Sequence, residues 1–165
     1  SYDKEYKATL KLGATTPSFD REHTVDMTYP TRHITRELIL RVLEQFKGDI
    51  MQRPPLFSAV MVDGHRAYKL ARKGADVELT AKPVRIDELE LTDFDPVKMQ
   101  MSIRVVCGKG TYIRSLARDI GYALGSGAFL TALCRTRLGD VRIEDCQTFD
   151  SFPAWLDSQE IEMAK

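Results

Sequence analysis

The sequence has few cysteines and histidines, and none of them falls into a metal-binding pattern. Cys107, Cys134 and Cys146 show no paired spacing of the C-x-x-C kind, and His23, His33 and His65 are scattered. No metal site is expected from them. An odd cysteine count without a secretion signal implies reduced thiols and a cytoplasmic setting, each cysteine serving as a small buried hydrophobe. Long apolar runs are missing, so no helical membrane span is expected. A charged-then-apolar leader is missing too. So is an excess of charge of one sign: 24 basic residues balance 24 acidic ones. Any contact with a polyanion must therefore come from local clustering.

The 165 residues, 43% hydrophobic and 29% charged, suit one domain with a substantial core. Tyr6, Ala8, Leu10 and Leu12 alternate with Lys7, Thr9 and Lys11, the period of a half-buried strand that Gly13 ends. The stretch from Ala14 to Asp20 reads as a loop. Thr35 caps an expected helix with Leu38, Ile39, Val42, Leu43 and Phe46 inward, stopped at Gly48. Ser58 to Val62 is a short strand candidate closed by the turn pair Asp63-Gly64. His65 to Lys73 reads as a short basic helix. Val84 to Phe94 and Met99 to Val106 read as strands, with Asp95-Pro96 in the turn between them. Thr111 is expected to cap a helix from Tyr112 to Leu124 with Ile113, Leu116, Ala117, Ile120 and Leu124 inward. Ala128 to Cys134 reads as a strand, and Phe149 to Leu156 as the start of a last helix. Helices and strands interleave without a βαβ period. The expected fold is α+β, with a mixed, mostly antiparallel sheet and packed helices.

Two segments concentrate chemistry. Cys107-Gly108-Lys109-Gly110-Thr111-Tyr112-Ile113-Arg114 joins a strand to a helix start, where backbone can approach a ligand and an anion is favoured. It is not a phosphate loop of the nucleotide-hydrolysing type, which needs Ser or Thr directly after Lys109; Gly110 stands there. Arg114 sits in a first helical turn, where the dipole disfavours a cation, so a carboxylate or phosphate is expected to hold it. The second segment, Gly64 to Lys73, carries Arg66, Lys69, Arg72 and Lys73 with His65 and Tyr68 interleaved and no acidic residue. It is either a solvated face or a phosphate-binding stretch. From the residues alone, core packing is the favoured reading of Tyr6, Tyr112 and Leu133, and a surface ion pair that of Arg114.

A resemblance adds to this reading. Lys4-Glu5-Tyr6-Lys7-Ala8 with Leu12-Gly13-Ala14-Thr15-Thr16 is similar to the strand and loop following the catalytic loop of TruB-type tRNA pseudouridine synthases. Gln52-Arg53-Pro54-Pro55-Leu56-Phe57-Ser58-Ala59, then Gly64, Ala67-Tyr68, Ala71-Arg72 and Gly74, resembles their Q-x-P-P-x-x-S-A segment and its continuation. The run from Gly108 to Gly121, followed by Gly127-Ala128 and Leu133-Cys134-Arg135, resembles the family's most recognisable stretch, although Arg is common there at the position of Cys134. The resemblance implies a partial pseudouridine synthase catalytic domain over residues 1–152, with 57–82 as an RNA-binding thumb-like insertion and 153–165 as a tail or the start of a further segment. It implies isomerisation of one uridine in the T arm of tRNA, without metal or cofactor. Tyr6 then stacks on the flipped base and takes part in proton transfer. Arg114 pairs with the nucleophilic aspartate. Tyr112 and Leu133 line the uracil pocket, Lys109 contacts substrate, and Arg66, Lys69, Arg72 and Lys73 bind RNA.

The family's aspartate motif, H-x-G-T-L-D-P, precedes the Tyr6 strand and has no counterpart in these residues. Asp95-Pro96 is a superficial echo in a hairpin turn, and Asp20 and Asp119 fall in motifs with other roles. The chain opens with Ser1, not Met, and leads straight into a strand, so a truncated or processed N-terminus is expected. The chain alone is expected to be inactive. Two other readings remain open: a non-catalytic RNA-binding module, and a small-molecule anion-binding domain built on the Gly108–Thr111 corner.

Overall fold

The computed structural model describes residues 3–17, 19, 25–55, 61–62, 65–66 and 80–148. Among the described residues, ten strands and two helices follow in order: β1 (Lys4–Leu12), β2 (Ala14–Thr15), β3 (Met27–Thr28), α1 (Arg36–Glu44), β4 (Gly48–Gln52), β5 (Met61–Val62), β6 (His65–Arg66), β7 (Lys82–Asp95), β8 (Gln100–Cys107), α2 (Ile113–Ala123), β9 (Ala128–Leu138) and β10 (Val141–Thr148). Six strands form one sheet in the order β10-β9-β1-β8-β7-β4. Every pairing among the described residues is antiparallel, which is the α+β arrangement expected.

β1 lies inside the sheet, paired on both sides, because its alternation supplies one wholly apolar face. Tyr6, Ala8, Leu10 and Leu12 are all at most 3% exposed. Met101, Ile103 and Val105 of β8 and Leu130 and Leu133 of β9 continue that face, and α2 covers it with Ile113, Leu116, Ala117 and Ile120. α1 adds Ile39, Val42 and Leu43 to the same core. Its start is set by Thr35, whose hydroxyl accepts from the Leu38 N–H at 3.2 Å, a cap worth about 1 kcal/mol. At the β7–β8 hairpin, the Asp95 carboxylate accepts from the Val97 and Lys98 N–H groups at 3.0 and 3.1 Å, so this aspartate shapes a turn.

Several expectations need correction. Gly48, with φ of +91°, does not merely stop α1; it opens β4, which the sequence pattern did not reveal. Part of the expected 14–20 loop is β2, paired with β3. The residue at the start of α2 is Tyr112, and no side chain caps it; Thr111 does not fill that role. β9 runs on to Leu138 and turns back into β10. His65–Arg66 is extended and pairs with Met61–Val62, so the expected basic helix does not begin at His65. The expected helix from Phe149 to Leu156 and the rest of the basic stretch, with Lys69, Arg72 and Lys73, lie outside the described residues.

The cysteines are also not all alike. Cys107 is free and buried, and burial pushes its thiol up to about 11. Cys134 and Cys146, read as separate reduced thiols, are joined as a disulfide. Antiparallel register places them directly opposite each other on β9 and β10. A spacing of 12 residues across a tight hairpin is what makes the pair, and no short motif reports it.

Candidate active-site face

The strand-turn-helix corner and the core face of β1 meet under α2. Tyr6 is 3% exposed, with its backbone opposite Val105 on one side and Arg135 on the other. Leu133, 2% exposed, stands opposite Ala8, so it emerges one inward step along the sheet from Tyr6. Both belong to the core cluster against which Tyr112 packs. Arg114 is fully buried in the first turn of α2, which removes the surface-ion-pair reading. A buried guanidinium is costly unless it is partnered, and Arg114 is not free. Burial raises the Tyr112 phenol above its ordinary range, and the Arg114 charge pulls it the other way, so the two groups share one neighbourhood. Lys109 is exposed in the turn before α2, outside that cluster. Arg66 belongs to the separate two-stranded β5–β6 sheet.

Gln52 holds this corner and Arg53 the body of α2, though the sequence offered both only as parts of a motif. The Gln52 side chain donates to the Tyr112 carbonyl at 3.2 Å and accepts from the Tyr112 N–H at 2.9 Å. The Arg53 carbonyl accepts from the Ser115 hydroxyl at 2.7 Å and from the Arg118 guanidinium at 2.9 Å. Arg118 also pairs with Asp119 at 2.9 Å and lies over the Phe19 ring. An open cleft lined by Phe46, Met51, Arg53, Ala81, Arg118 and Asp119 lies beside this joint.

The opposite face of the sheet carries a polar network. Arg104 of β8 donates to Glu5, Glu88 and Glu90 at 2.9, 2.7 and 2.8 Å. Glu5 also accepts from the Thr136 hydroxyl at 2.7 Å. That bond holds the Glu5 carboxyl below its ordinary range against the opposing effect of burial, with Arg104 adding to it. Strand period places Glu5 and Tyr6 on opposite faces, so this network steadies β1 from behind the candidate site.

The antiparallel six-stranded sheet with its packed helices matches the pseudouridine synthase fold in part. Residues 1–113 match the model of the TruB family pseudouridylate synthase N-terminal domain, and the chain belongs to that family. It is 65% identical over 161 residues to tRNA pseudouridine synthase B of Phocaeicola vulgatus, covering 98% of this chain and 68% of that protein. Identity to the protein of the same name from Bacteroides thetaiotaomicron is 63% over 163 residues, again 98% of this chain and 68% of the relative. Among solved structures, a chain of a Cbf5-Nop10-Gar1 complex superposes with a TM-score of 0.57 at 27% identity, over 85% of this chain and 31% of that one. A chain from an H/ACA ribonucleoprotein bound to a substrate RNA shares the fold at a TM-score of 0.54 and 24% identity. No described helix is long and apolar enough to cross a membrane.

Proposed function

We propose that this chain forms the base-binding and nucleophile-orienting part of a site that converts a uridine in the T arm of tRNA to pseudouridine. The observation that carries the reading is Arg114: a fully buried arginine in the first turn of α2, near Tyr112, on the helix that packs against the core bearing Tyr6 and Leu133. A carboxylate that attacks in a partly buried site must stay ionised, and a fixed guanidinium lowers its pKa and sets its orientation. Tyr6 supplies a flat ring for the flipped base and a hydroxyl for proton exchange, while Tyr112 and Leu133 give the pocket apolar walls. Lys109, exposed at the corner, is proposed to contact the substrate.

No aspartate of this chain is assigned as nucleophile, so the 165 residues alone are proposed to make no pseudouridine. The segment 57–82, with Arg66, Lys69, Arg72 and Lys73, is proposed to act as the thumb that grips tRNA phosphates. The test is single-turnover conversion of a T-arm stem-loop by an enzyme of full family length carrying these residues. Arg114→Met should abolish conversion while tRNA is still bound, and Arg114→Lys should be nearly as poor, because an ammonium lacks the bidentate fork. Near-parental rates in Arg114→Met would remove the orienting role, and product from the purified 165 residues would refute their inactivity.

A further inference from the structure

We propose that Gln52 is a positioning residue for this reaction, holding the start of α2, and with it Tyr112 and Arg114, against the uracil-binding face. The inference rests on the function proposed above. Gln52 is the last residue of β4, its backbone opposite Lys82 at the end of the β4–β7 ladder. Its side chain is buried, with the residue 2% exposed, and it spends both ends of its amide on one residue, Tyr112. Tyr112 needs such a hold. It starts α2 with an extended backbone, φ of −102° and ψ of 119°, and no side chain caps the helix there. First-turn groups have no intrahelical partner for their N–H, so a helix start without a side-chain cap depends on contacts from outside the helix to fix its orientation.

The Gln52 amide spans the N–H and C=O of Tyr112, so neither adjoining peptide plane can rotate without leaving a polar group unsatisfied. Arg114 lies two residues further on, and a long side chain magnifies any tilt of the backbone that carries it. The neighbouring bonds from Ser115 and Arg118 to the Arg53 carbonyl fix the body of the helix to the same segment but do not touch Tyr112. Gln52 therefore couples the end of β4 directly to the corner itself.

Gln52→Met fills a similar volume and removes both hydrogen bonds. In an enzyme of full family length, its single-turnover rate on saturating T-arm substrate should fall about a hundredfold, the scale of an ångström-sized misplacement, with substrate affinity unchanged. Ser115→Ala breaks the adjoining bond and serves as the structural control: it should lower the melting temperature by about 2–4 °C and keep the parental rate per folded molecule. A parental rate in Gln52→Met, or a rate loss no greater than that of Ser115→Ala, would overturn the proposal. If Gln52→Met does not fold, Gln52→Glu decides, because it keeps an acceptor for the Tyr112 N–H and loses the donor. A clear rate loss with normal affinity supports the role, and full activity or failure of both variants to fold sinks it. Arg114→Met separates the two readings. If that variant retains activity, the proposed function fails; if Arg114→Met is dead and Gln52→Met is normal, only the role of Gln52 fails.

Discussion

Gly121 of α2 lies so close to Ala128, the first residue of β9, that a Cβ on the glycine would stand 2.4 Å from the Ala128 nitrogen and 2.8 Å from its Cβ. Helix and strand touch through backbone at this point, and the close approach seats α2 on the sheet.

Gly121→Ala therefore sets two effects against each other. Alanine improves helix propensity by about 1 kcal/mol. Overpacking against neighbours costs about 1–3 kcal/mol, and here the nearest atoms are backbone and cannot rotate away. A lower urea midpoint is expected. An unchanged or raised midpoint would show that α2 can lift from β9 without penalty.

The network around Glu5 should make stability depend on acid. Hydrogen bonds to a charged group contribute about 1.5–3 kcal/mol, so Glu5→Gln should be destabilised by that order at neutral pH. The folded Glu5 carboxyl titrates below its ordinary value of 4.5. Its contribution is therefore complete above that value and is lost as pH falls through the folded one. The stability gap between parent and Glu5→Gln should shrink as pH drops below 4.5. Urea melts across the acid range check this, and a gap independent of pH would place the stabilisation elsewhere.

Tyr6 is expected to act in two separable ways. Tyr6→Phe keeps the ring and should bind tRNA normally while losing most of its single-turnover rate. Tyr6→Leu should in addition weaken binding, since stacking on a base contributes about 1–3 kcal/mol. Equal rates for Tyr6→Phe and the parent would take the hydroxyl out of the reaction.

The basic stretch is expected to contribute affinity through phosphates. Neutralising Arg66, Lys69 and Lys73 together should weaken tRNA binding and flatten its dependence on salt by roughly one unit of slope per lost contact. An unchanged slope in the triple variant, measured with intact tRNA, would reduce these charges to a role in solubility.

Local spacing in the sequence determined a good part of this molecule. The alternation of β1, the apolar stripe of α2 and the Thr35 cap each depend on side chains a few residues apart, and each was legible in advance. The motif run from Gly108 to Gly121 likewise carried the family. β10 escaped notice because Glu144 and Asp145 interrupt its apolar alternation, and β4 because Gly48-Asp49 looks like a stop. Tertiary structure alone decided the rest. Gln52 meets Tyr112 across 60 residues, Arg104 meets Glu5 across 99, and Cys134 faces Cys146 only because one hairpin has one register. Such pairs depend on strand order and register, and these follow from how all the apolar faces are buried together, not from the spacing within any one segment.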